Sequence, residues 1–155
     1  MDKDDNDIEN RALRLLTRRE HSRLELWHKL CRRAGDDNQL AQVLDRLETA
    51  GWLDDARFAE VYARQRREAG YGPVRIRAEL EQRGVTAVPE ALSTVSEGEW
   101  REAAVRQRLR RFGDNSSPLS WKEMGRQSRF LAQRGFSRGQ IEAAIAMNPD
   151  DCCES

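Results

Sequence analysis

The chain has 155 residues, with 27 basic and 27 acidic side chains and no formal net charge. That length allows one ordinary domain or a short repeat array, and 38% hydrophobic against 35% charged residues makes a lean core. No run of about 18 apolar residues exists, which excludes a membrane-spanning helix; the acidic opening has no secretory h-region, and three cysteines without an even, spaced framework point to a reducing cytoplasm.

Apolar residues recur at steps of three and four, and no short stretch alternates cleanly or is rich in β-branched side chains, so an all-α chain is expected. Residues 1–9 read as an acidic tail, with Asp2, Asp4, Asp5, Asp7 and Glu9 against Lys3. Helices are predicted near 8–19, 22–33 and 37–50. The second opens on Ser22-Arg23-Leu24-Glu25, a capping box in which the serine oxygen and the glutamate carboxylate each satisfy an orphan amide. Asp54-Asp55 read as an N-cap and a first-turn acid for a helix at 55–69. Gly72-Pro73 read as an N-cap followed by proline at the first position of a helix at 73–83. A short helix is placed at 87–95. Ser96–Glu99 and Ser120–Glu123 are capping boxes for helices at 98–112 and 120–134, separated by a loop at 114–118, and a last helix is placed at 137–147. Gly35, Gly51, Gly70, Gly84, Gly113 and Gly135 each follow a periodic stretch, as left-handed helix C-caps do.

These nine helices fall into three groups of three. The second helix of each group ends alike, at Lys29–Gly35, Glu79–Val85 and Arg129–Phe136, and the three glycines lie 49 and 51 residues apart. The predicted organisation is three tandem three-helix repeats at 10–53, 54–96 and 97–148, then an acidic C-terminal tail at 149–155. One such unit buries little apolar area, so neighbours should stack into an elongated, curved array.

Zero net charge conceals an uneven distribution. Residues 100–139 hold ten bases and three acids. Arginine outnumbers lysine 24 to 3, and its planar fork suits phosphate and carboxylate, although a GC-rich genome would produce the same bias. A merely solvated face usually mixes signs, so the clusters are candidate contacts with nucleic acid or an acidic partner. They comprise Arg64, Arg66 and Arg67; Arg75 and Arg77; Arg101, Arg106, Arg108, Arg110 and Arg111; and Lys122, Arg126, Arg129, Arg134 and Arg138. Arg101 and Arg108 are seven apart and Lys122, Arg126 and Arg129 step by four and three, so each set should share a helix face.

Catalytic signatures are absent, no metal or cofactor site is expected, and the chain reads as a non-enzyme. His28 and Cys31 are half a metal site at best. Trp27 reads as core. Trp52, Trp100 and Trp121 sit at helix junctions, where apolar cap contacts are the expected role and base stacking the alternative.

The blocks Gly51-Trp52-Leu53-Asp54-Asp55-Ala56-Arg57-Phe58-Ala59, Gly70–Val85 and Arg129–Ser137, with the opening Ala12–Ser22, resemble the bacterial RecX family over roughly residues 10–147. The resemblance implies a cytoplasmic, monomeric modulator of the RecA recombinase. Such proteins bind RecA and its DNA filament and mostly inhibit it, suppressing filament extension, ATPase, strand exchange and co-protease activity, with weak DNA binding besides. It carries no catalytic residues, and its glycines and Asp54–Phe58 block look architectural. Arginines on a rod spanning several RecA protomers would multiply weak contacts. A helix-turn-helix transcriptional regulator is the main alternative, and a scaffold without nucleic-acid contact a second.

Overall fold

The computed structural model describes residues 3–114 and 118–146. The acidic C-terminal tail, with Cys152 and Cys153, lies outside them. Among the described residues there are nine helices and no strand: α1 (Lys3–Arg18), α2 (Arg23–Leu30), α3 (Asp37–Thr49), α4 (Asp55–Glu68), α5 (Pro73–Gln82), α6 (Glu90–Ser93), α7 (Glu97–Phe112), α8 (Trp121–Arg134) and α9 (Arg138–Ala146). None of them is long and apolar enough to cross a membrane.

The helices start where the sequence marks them. Ser22 and Ser96 form complete capping boxes with Glu25 and Glu99. Ser120 accepts the Glu123 amide, but the Glu123 carboxylate accepts from Gln127 Nε2 at 3.2 Å instead of reaching back. Asp54 takes the Arg57 amide at 3.1 Å, as an N-cap should. Gly51, Gly70, Gly84, Gly113 and Gly135 have positive φ.

Three expectations are corrected. Gly35 is not left-handed. The turn after α2 already closes at Arg33 and Ala34, whose amides both bond the Leu30 carbonyl, so Gly35 only leads into the Asp36 N-cap of α3. The α6 helix is a single turn, because Pro89 precedes it and Ser96 already caps the next. The acidic opening is not a tail from Lys3 onward. It is the first half of α1, where Asp5 accepts from Gln39 and Arg46 lies 3.9 Å from both Asp5 and Glu9.

The chain divides into two compact units, residues 1–62 with 79–89 and residues 63–78 with 90–155, and the division runs through α4 and α5. In the first unit α1, α2 and α3 pack on one another around Ile8, Ala12, Leu26, Leu30, Leu40, Val43, Leu44, Leu47 and Leu53, with Trp27 at the edge. Arg57 ties this unit together: it donates to Glu20 at 2.7 Å and to the carbonyls of Gly51 and Trp52. Asp55 reaches the Arg23 amide at 2.7 Å and so caps α2 from the start of α4. In the second unit α7, α8 and α9 pack on one another. Trp100, Ala104, Val105, Leu131, Phe136 and Ala144 are buried there, and Phe112 meets Phe130 edge-on at 5.3 Å.

Candidate interaction surface

The second unit holds all fifteen candidate cations. Twelve of them divide into three kinds by what surrounds them.

Four are structural. Arg108 is 6% exposed. Its Nε donates to Gln127 Oε1 at 2.8 Å and its Nη1 to the Ala144 carbonyl at 2.9 Å, so it joins α7, α8 and α9 from inside and cannot be a contact residue. Arg101, seven residues earlier on the same side of α7, is exposed beside Glu97, so burial separates the two and not the helix face. Arg66, Arg75 and Arg134 converge on one ring, with their guanidinium carbons 3.8, 4.5 and 4.3 Å from the Tyr71 centroid. Arg75 Nη1 also caps the Gln133 carbonyl at the end of α8, and Arg134 Nη2 caps the Ala69 carbonyl at the end of α4, both at 2.9 Å. Between them the backbones meet directly: the Gly72 amide donates to Arg134 O at 2.8 Å and the Val74 amide to Gly135 O at 2.9 Å. This junction needs its glycines. A Cβ on Gly72 would stand 2.4 Å from Gly135 O, and one on Gly135, already at φ 98°, would stand 2.1 Å from Arg75 Cβ.

A second group lines a cleft of about 640 Å³ between the C-terminal half of α4 and the first half of α7. Arg64, Arg67 and Glu68 of α4 line it together with Glu99, Glu102 and Arg106 of α7 and with Trp100, which is 5% exposed. Glu99 is engaged in the α7 capping box. Arg64, Arg67 and Arg106 make no ion pair among the described residues, although carboxylates line the same cleft. The cleft therefore offers both signs of charge to an incoming surface.

A third group is exposed around α8 and the end of α7: Arg110, Arg111, Lys122, Arg126 and Arg129. Arg111 and Arg126 both approach the Phe112 ring, at 5.5 and 5.4 Å, which brings the two helices' cations to one side. The remaining candidates stand apart from these. Arg77 is exposed on α5, and Arg138 is exposed but bound to Glu142 at 3.0 Å. Among the described residues no cluster of three or more His, Cys, Asp or Glu side chains could hold a metal ion.

Family models for the first, second and third three-helix domains of RecX match residues 10–47, 54–88 and 97–145, in that order. The chain belongs to the RecX family. It is 46% identical to the regulatory protein RecX of Halorhodospira halophila, over 93% of this chain and 89% of that protein. It is 43% identical to that of Stenotrophomonas maltophilia, over 91% and 86%. Two solved structures share the fold. RecX from Lactobacillus salivarius has a TM-score of 0.75 at 23% identity, over 92% of this chain and 94% of that one. Another regulatory protein RecX has 0.79 at 21%, over 93% and 74%.

Within this RecX-family chain, sequence reasoning missed the Tyr71 junction and the paired-sign cleft. Both depend on residues about 30 to 65 apart in the chain, which no local pattern reveals. It also missed a signal that was present. Ser137-Arg138-Gly139-Gln140 is an S-x-x-Q capping box, and the Ser137 amide donates to Gln140 Oε1 at 2.8 Å while Ser137 Oγ accepts the Gln140 amide.

Proposed function

We propose that this protein is a cytoplasmic, non-enzymatic regulator of RecA that acts as an inhibitor. It binds RecA and the RecA–DNA filament as a monomer and suppresses filament extension, ATP hydrolysis, strand exchange and co-protease activity. An accessory contact with DNA assists it. The observation that carries this reading is the ordered match of all three RecX domains across residues 10–145, because RecX regulators act on RecA.

The α4–α7 cleft supports the reading and supplies its chemistry. Three arginines without ion-pair partners beside three glutamates suit a protein surface that carries both signs, and a nucleic-acid backbone offers only one. Charge complementarity of this kind sets register and speeds encounter. RecA is therefore assigned to the cleft.

The test is RecA ATPase on single-stranded DNA, with the protein added below the RecA concentration after filaments form. Strong inhibition is expected. Arg64→Glu/Arg67→Glu/Arg106→Glu should raise the inhibitor concentration required by about tenfold or more, as truncated interface charges do, with Tm unchanged because all three are exposed. Full potency in the folded triple variant would remove the cleft from the mechanism, and no inhibition by the wild-type protein would sink the reading itself.

A further inference from the structure

The exposed side of α8 is built unlike the cleft. Trp121, its first residue, is 84% exposed, although an indole is the largest apolar side chain and normally finds cover. Four and eight residues on, in the same row along the helix, come Gly125 and Arg129. Lys122 and Arg126 form the adjacent row, and all three cations are exposed. Glu123 accepts from Gln127 at 3.2 Å and pairs with Arg126 at 3.7 Å, leaving Lys122 and Arg129 as the cations without a carboxylate partner among the described residues.

Gly125 is the informative residue. A glycine in the interior of an exposed helix is destabilising relative to alanine. Nothing in the fold demands it: its φ is not positive, and a Cβ there would meet only Arg129 Nη1, at an ordinary 3.5 Å. The missing side chain leaves bare backbone between the Trp121 indole and the Arg129 guanidinium, which already leans over it. Two planar groups therefore flank a gap on one row, with ammonium and guanidinium groups beside it. Nucleobases stack on both indole and guanidinium, and a single strand exposes its bases together with one charge per phosphate. Arg111, brought alongside through Phe112, extends the positive edge. Trp52, the other strongly exposed indole at 57%, is followed by Asp54 and Asp55 and has no such setting.

We infer that this face of α8 is a single-stranded nucleic-acid platform: a base stacks at Trp121 over the bare Gly125, and Lys122, Arg126 and Arg129 take the flanking phosphates. This rests on the proposed accessory DNA contact and locates it away from the RecA cleft.

The experiment uses the full chain without RecA and a labelled oligothymidylate of about 15 nucleotides, followed by fluorescence anisotropy at low salt. Trp121→Ala should weaken binding about tenfold, and Trp121→Phe should recover most of it. A duplex of equal length should not respond to Trp121→Ala. Gly125→Ala should raise Tm while lowering affinity, opposite signs that a purely structural glycine would not give. Lys122→Gln with Arg126→Gln should reduce the slope of log affinity against log salt by about 1.4. Unaltered affinity in both Trp121→Ala and Gly125→Ala overturns the platform, as does a wild-type protein that does not bind the oligonucleotide. Either result leaves RecA inhibition through the cleft to stand or fall on its own assay.

Discussion

Arg108 carries its guanidinium into the middle of α7, α8 and α9, where Gln127 and the Ala144 carbonyl receive it. Two residues earlier, Arg106 points into the cleft and is exposed. Arg108→Met should cost about 3 kcal/mol, because a buried amide oxygen and a buried carbonyl lose charged donors. Arg106→Met should stay within about 0.5 kcal/mol, as exposed positions do. Urea unfolding of both variants checks this, and equal midpoints would show that Arg108 is dispensable. The sequence places both arginines on a helix at regular spacing. It cannot say which one turns inward, because that depends on Gln127 and Ala144, 19 and 36 residues further on. Trp100 and Trp121 show the same limit. Each sits at a helix start, yet one is core and the other is almost bare.

At the level of elements, the end of α8 and the start of α5 interlock through Gly72 and Gly135, with Arg75 and Arg134 capping carbonyls in opposite directions. Adding one methyl to either glycine forces backbone against backbone or against Arg75 Cβ. Gly72→Ala and Gly135→Ala should each cost at least about 2 kcal/mol, from overpacking and, at Gly135, from the left-handed backbone. Gly139→Ala, on an exposed stretch of α9 with nothing within 4 Å, should hold or raise Tm. Thermal melts followed by circular dichroism at 222 nm (the helical band) rank the three, and an undisturbed Gly135→Ala would disprove the interlock. Helix limits were largely legible in the sequence because caps are local chemistry: Ser22, Asp54, Ser96 and Ser120 each bond an amide within three residues. The partners of those helices were not, since Asp55 capping α2 across 32 residues leaves no mark in either segment.

For the whole molecule, a formal charge of zero at pH 7 says little about where stability is greatest. His21 is buried. Its Nδ1–H donates to the Arg19 carbonyl at 3.0 Å, and its Nε2 accepts from the Lys29 ammonium at 3.3 Å. Burial, reinforced by the Arg19 and Lys29 charges, holds its pKa below the ordinary 6.5. Burial pushes the neighbouring Glu25 carboxyl up, but hydrogen bonds from Arg19 and from the Ser22 amide outweigh it and hold that pKa below the usual carboxylate value. In both cases the unfolded chain binds the proton more readily, so stability rises with pH across each window. The His21 contribution is fully present above about pH 6.5 and is lost as pH falls below it. The Glu25 contribution is present above the ordinary carboxylate range and is lost on further acidification. Unfolding free energy measured by urea titration should therefore decline in two stages from neutral to acid pH. His21→Gln should flatten the first stage, and a wild-type profile that is level between about pH 7.5 and about pH 5.5 would contradict the assignment.

The placement of the first acids in α1 bears on how much of the chain can be spared. Composition marks residues 1–9 as an acidic tail. In the fold this stretch carries Ile8, which is 1% exposed, and supplies the two carboxylates nearest the Arg46 guanidinium. A translation start that dropped residues 1–9 would not shed an ornament. It would leave a hole in the core that Leu44 and Leu47 also line and would strip the half-buried Arg46 of both nearby carboxylates, so selection should hold Asp5, Ile8 and Glu9 as firmly as the interior.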